Sequence, residues 1–263
     1  MALRPHTHLA VTAHREAGFT LVELMIALFI SGLVMAALVT IYTAQTRAYS
    51  KHDDIADIQQ NLRGALAILP REIRLAGCDP EETGGPGILV AARNRLQFTL
   101  DVRGNATNAT SADGDTDDTD ENIGYTLTAR NNTTNATVPA DSDNNGIIDS
   151  GGANWAWGNN ITPSLGRQTG GAGGFQPLAD NVEAIEFNYI LANGSTTLAP
   201  STSDLNDIRS VQVSLLARTS NPTPDFVHTA SYTTASGAVW TPPQDNFRRR
   251  LILTTIHCRN LGY

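Results

Sequence analysis

The sequence predicts an α+β protein, with one long N-terminal α-helix, membrane-spanning in its first half, packed on an antiparallel β-sheet globular domain. Three observations carry this reading. From Phe19 to Tyr42 the chain is apolar apart from a single charge, Glu23. An amphipathic continuation follows as far as Ala76, with apolar residues every three or four positions. Beyond it, short stretches alternate polar and apolar residues between long connections rich in Gly, Asn, Asp, Ser and Thr.

The first segment is long enough to cross a bilayer, for which about 20 apolar residues suffice. It exceeds the apolar core of a secretory signal, and no small-residue cleavage pattern closes it, so a signal anchor is the plainer alternative. Arg15 at its edge favours a cytoplasmic N-terminus. In the second segment Ile55, Ile58, Leu62, Leu66, Leu69, Ile73 and Ala76 mark one apolar face. A helix over 19–76 would be roughly 85 Å long at 1.5 Å per residue. Its part 19–42 is expected to be transmembrane or filament core, and 43–76 amphipathic. Pro70 should kink or restart it, and Gly77 should end it. Residues 77–263 form the exported domain, with strands expected around Leu96–Val102, Ile123–Leu127, Ile185–Tyr189, Val211–Leu215 and Leu251–Cys258. These imply one sheet, with polar loops over 103–122, 131–181 and 219–246.

Composition narrows the function. Charged residues are only 17% of the chain, and 26 acids outnumber 18 bases, so nucleic-acid phosphates would be repelled. With two cysteines and no Cys/His cluster, a structural zinc site is not expected. The six histidines form no catalytic grouping, no serine lies in a nucleophile elbow, and Gly170–Gly174 lacks a phosphate-loop lysine, so no enzymatic activity is expected.

Glu23 carries more information. An acid inside lipid costs roughly 2.5 kcal/mol or more and is usually functional. It stands five residues after a Gly-Phe junction, in Ala17-Gly18-Phe19-Thr20-Leu21-Val22-Glu23-Leu24. This string resembles the processing site of the type IV pilin-like superfamily. The resemblance implies a leader over 1–18, cleaved after Gly18 by a prepilin peptidase that then N-methylates Phe19. It implies that Glu23 neutralises the new ammonium of a neighbouring subunit. Within the superfamily the chain looks most like W-type minor pilins, through Arg71–Cys78, Glu121–Tyr125, Asn181–Phe187, Arg248–Leu251 and Arg259–Leu261. It also resembles the J-type pseudopilins of type II secretion. The W-type resemblance implies a structural subunit that helps initiate pilus assembly, and so serves motility, adhesion or DNA uptake indirectly. Its implied partners are the peptidase, other minor pilins, the major pilin, the inner-membrane assembly platform, a large tip adhesin and the lipid bilayer. The implied location is the bacterial inner membrane, single-pass with the globular domain periplasmic, and then the filament. A tip-displayed adhesive module, using the long loops, is a third reading.

Two further constellations stand out. Asp141, Asp143, Asn145, Ile147 and Asp149, with Gly146 at position six, have the spacing of a calcium loop, and Ca2+ is the cofactor expected there. Gly152 stands where the bidentate Glu would be, so a solvated turn is the alternative. The acids of Asp113–Glu121 are read as a solvated hairpin tip, and Arg248–Arg250 as a solvated strand edge. Cys78 and Cys258, both on the exported side, are expected to form a disulfide; two separate buried thiols are the alternative.

Overall fold

The computed structural model describes residues 18–82, 85–104, 112–118, 120–150, 153–155, 161–171 and 173–261, so the leader before Gly18 lies outside the described residues. The chain divides into two compact units, Met1–Ser50 and Lys51–Tyr263.

Helix α1 runs from Leu21 to Leu75. Its apolar part, Leu21–Thr46, has a mean hydropathy of 2.6 and is long enough to cross a membrane. The hydroxyls of Ser31 and Thr40 are satisfied within the helix, donating to the carbonyls of Ala27 and Ala36 at 2.6 and 2.9 Å. In the second unit Ile58, Leu62, Ala65, Leu69, Ile73 and Ala76 are all buried. Leu66, expected on this stripe, is 36% exposed, because it lies one residue off the buried Ala65 and so a quarter-turn away. The side chain of Ile55 lies outside the described residues. The helix does not restart at Pro70. The carbonyl freed by its missing N–H belongs to Leu66, on the open side of the helix where water can bond it. Gly77, at φ 75°, ends the helix and donates its N–H to the Thr99 carbonyl at 2.9 Å. A Cβ there would sit 2.5 Å from the Leu261 side chain.

The strands are β1 (Ile88–Ala91), β2 (Arg95–Thr99), β3 (Asn122–Asn131), β4 (Thr137–Pro139), β5 (Asp149–Ser150), β6 (Ala153–Asn154) and β7 (Ile161–Gln168). They continue as β8 (Gln176–Asp180), β9 (Val182–Leu191), β10 (Thr196–Thr197), β11 (Ile208–Arg218), β12 (Tyr232–Thr233), β13 (Val239–Trp240) and β14 (Arg249–His257). All pairings are antiparallel. They build two main sheets instead of the single one expected: β1-β2-β3-β7-β8, with β4 on β3, and β10-β9-β11-β14. The chain changes sheet at Asn181, whose φ of 59° separates β8 from β9. Their apolar faces join the α1 stripe in one core that includes Leu96, Phe98, Leu165, Phe187 and Val213.

The stretch 131–181, read as loop, contains β7 and β8. Pro163 and Gly166 hide β7 from a pattern search, yet both fit. Pro163 lies one residue before Ser164, the first residue of β7 opposite β8, so its missing N–H breaks no rung of that ladder. Any Cβ at Gly166 would lie 2.6 Å from Thr128 on β3. Gly170–Gly174, read as linker, lies between these two strands.

Residues 219–246 are also more than a solvated loop. They carry β12 and β13 and bury Trp240, His228, Thr223 and Thr234. Trp240 packs on Ala184 and Leu216, on the face of the second sheet opposite Ile185 and Leu215. Beneath this cover lie charges. Between the pairs Leu216–Ala184 and Ala217–Val182 the register shifts, leaving Glu183 without a partner on β11. Its fully buried carboxylate takes Arg249 at 2.6 and 3.1 Å, and Arg249 also grips Asp245 with two bonds of 2.6 Å. Burial works against the Arg249 charge, but the bonds from Asp245 and Glu183 outweigh it and raise its pKa. Thus Arg249 is not part of a solvated edge, and Arg248 lies over the Phe226 ring at 4.1 Å. Arg249→Ala, which leaves the buried Glu183 carboxylate only the more distant Arg218 at 3.8 Å, should cost about 3–5 kcal/mol in denaturant unfolding of the detergent-solubilised chain. Arg103→Ala, which breaks the exposed pair with Asp120, should cost about 1 kcal/mol or less.

Candidate functional site

The first candidate is the start of α1. Gly18, Phe19 and Thr20 precede the helix in irregular conformation, and Phe19 is 90% exposed. The Gly18–Phe19 junction is thus exposed and outside regular secondary structure. Thr20 is the N-cap: its backbone N–H and hydroxyl both donate to Glu23 Oε2, at 2.9 and 2.8 Å. In return the Glu23 N–H donates to the Thr20 hydroxyl at 3.2 Å. This is a reciprocal capping box, and it places the acid where the helix dipole favours negative charge. Sequence reasoning missed Thr20, although the Thr-x-x-Glu spacing was there to be read. From Leu21 onward the large apolar side chains of the span are exposed, leaving a whole helix surface for lipid or neighbouring helices.

The second candidate is the loop from Asp141 to Asp149. Carboxylate oxygens of Asp141, Asp143 and Asp149 lie within 4.8 Å of one another. Gly146, at φ 83°, presses against β9, and a Cβ there would be 2.2 Å from the Ile185 carbonyl oxygen. Asp141 accepts N–H bonds from Asn145 and Gly146 at 3.0 and 2.8 Å. Burial nevertheless pushes its pKa up. Asn145 Oδ1 accepts the Ile147 N–H at 2.8 Å, and its amide donates to Asp143 and Asn154. Asp149 is bonded by the N–H and hydroxyl of Ser142. So three of the five expected ligands converge, while the Asn145 oxygen is engaged by the backbone. Asn94, which donates to Asp141 and Asn144, ties this loop to the β1–β2 turn; no motif marks it.

The second acidic cluster does not converge. Glu121 is buried, accepting N–H bonds from Val102 and Arg103 at 2.8 and 2.9 Å, and Asp120 pairs with Arg103. Only its tip, with Asp115 and Asp117, is exposed as expected, and repulsion by Asp115 raises the Asp117 pKa. The expected disulfide is not formed: Cys78 and Cys258 are free. Burial pushes the Cys258 thiol up to about 12, and burial together with Asp101 and Asp79 raises Cys78.

The comparisons with known proteins fall on these regions. The prokaryotic N-terminal methylation motif matches residues 13–39, spanning the junction, Glu23 and most of the apolar helix. A family described as Type IV Pilus-assembly protein W matches residues 147–260, from the end of the acidic loop to the last strand. Over these two stretches the chain is similar to type IV pilin-like proteins, and over the second to those of the W type. No curated protein matches it. A solved structure, a type IV-like pilin TTHA1219 from Thermus thermophilus, is 17% identical, with 78% of this chain and 96% of that chain covered and a TM-score of 0.45. The methylation motif and the apolar helix point to membrane anchoring, and the matched family is one of pilus assembly.

The capping box sets a test of Glu23. Glu23→Gln keeps an oxygen for Thr20 but loses the charge, whereas Glu23→Ala loses both. Both variants should insert in membranes and fail to enter filaments, as read by immunoblot of sheared fibres. Normal incorporation of the Gln variant would leave capping as the only role of Glu23.

Proposed function

We propose that this chain is a minor pilin that helps initiate type IV pilus assembly. The supporting observation is the presence in one chain of a methylation motif on an exposed apolar helix and a W-type globular part. In this reading the peptidase cuts after Gly18 and methylates Phe19. The chain then waits in the inner membrane, N-terminus cytoplasmic and globular domain periplasmic. It joins other minor pilins and the major pilin through α1 on the assembly platform, and a large tip adhesin completes the complex. Deleting the gene should remove surface pili counted by electron microscopy, and the wild-type gene should restore them. Unchanged pili would favour a J-type secretion pseudopilin, or a tip module that filaments form without.

The Asp141–Asp149 loop is proposed to take Ca2+ in this role. Three carboxylates within 4.8 Å repel one another, and a hard divalent cation bound by oxygens relieves that repulsion. Millimolar Ca2+ should raise the melting temperature of the detergent-solubilised chain by a few degrees, and Asp141→Asn should abolish the rise. No calorimetric heat on titration with millimolar Ca2+ would remove the site.

A further inference from the structure

Seven arginines of this acidic protein are held by carboxylates: Arg93, Arg103, Arg130, Arg167, Arg209, Arg218 and Arg249. Arg71, Arg74 and Arg259 differ. All three are exposed, and among the described residues none makes an ion pair. They line one cleft of about 490 Å³, completed by Leu75 and Asn260 and containing no acid. The acids beside it are already engaged: Glu72 holds Arg167 at 2.7 Å and accepts the Tyr125 hydroxyl, and Asp120 holds Arg103.

The cleft is built, not incidental. Arg71 and Arg74 stand three apart on α1, a spacing at which like charges destabilise a helix. Arg259 comes from the turn after the last strand, and that turn is fixed to the helix end. Leu261 is buried against Gly77, and Asn260 donates to the Arg74 carbonyl at 3.3 Å. Three guanidinium groups held together in this way, in a chain with an excess of acids, form a receptor for oxyanions, since the planar fork matches carboxylate geometry.

We propose that this cleft docks a carboxylate-bearing segment of an adjoining protein subunit. Charge complementarity selects the class of partner. A protein source is favoured over lipid phosphate because the planar guanidinium fork matches the planar carboxylate, and about 25 residues of chain lie between Thr46, where the apolar span ends, and Arg71. An extended nucleic acid would meet the acidic remainder of the surface, and the cleft has no aromatic platform for bases. Only the partner's identity as a filament subunit rests on the proposed pilus role; binding itself does not.

The test uses the full mature chain in zwitterionic micelles and a fluorescein-labelled decaglutamate peptide, read by anisotropy. The peptide should bind, weaken with added salt, and lose about tenfold in affinity with R71A/R74A/R259A. The single variant R259A, beyond the last strand, should lose about two- to fivefold with an unchanged melting curve. It decides the matter if the triple variant does not fold. A triple or single variant that binds like the wild type would overturn the proposal. So would arginine-dependent flotation with phosphatidylglycerol vesicles without arginine-dependent peptide binding, which would assign the cleft to lipid. Peptide binding that persists in a protein whose deletion leaves pili unchanged would uphold the cleft while the pilus role failed.

Discussion

The globular unit depends on one narrow surface, the stripe of Ile58, Leu62, Ala65, Leu69, Ile73 and Ala76 on the second half of α1. Neither sheet could bury its apolar face alone, and this stripe joins both in a single core. Its polar flanks set the register. Glu72 receives Arg167 from β7 and the Tyr125 hydroxyl from β3, while Asn61 bonds both the carbonyl and the N–H of Asp180 at the end of β8. The Asp180 anchor lies next to Asn181, where the chain crosses from one sheet to the other. A helix that begins as an apolar span is thus also the scaffold for the domain that follows.

The far face of the second sheet is solved by different physics. Ala184, Glu186, Asn188, Gln212 and Ser214 offer little apolar area, so packing cannot cover it cheaply. Instead the polar groups are satisfied one by one. Glu186 takes Arg93 at 3.0 Å, Asn188 bonds Gln212 at 2.7 Å, and Ser214 accepts the Ala235 N–H. Trp240, with Tyr232 beside it, supplies apolar contact to this face. Such a face is specific because each group fits one partner, and its stability hinges on few bonds.

This contrast explains what the sequence could reveal. Periodicity located α1 and strands β2, β3, β9, β11 and β14 because those elements bury one apolar face. It missed β7, where a proline and a glycine interrupt alternation for reasons that lie in β8 and Thr128, remote in sequence. It read 219–246 as solvent because the partners of that segment are buried polar atoms, which leave no periodic trace. Among site residues, the Gly18–Phe19 junction and Glu23 were legible from local order, as was the spacing of Asp141, Asp143 and Asp149. Asn94 and the cleft of Arg71, Arg74 and Arg259 were not, since only the fold brings them to their neighbours.

Glu23 shows how one acid can suit two situations. An isolated carboxylate deep in lipid would be prohibitive, yet this one sits in the first turn of its helix. There it accepts two bonds from Thr20 and lies against four backbone N–H groups that have no helical partner. Those interactions lower the cost of keeping the charge while the subunit is single. They engage Oε2, and a carboxylate has acceptor sites on both oxygens. A neighbour's ammonium could therefore approach without breaking the cap, so assembly would add an ion pair to an existing arrangement instead of replacing one. On this argument the Thr-x-x-Glu spacing pre-orders the acid for the proposed contact, and cap and contact do not compete.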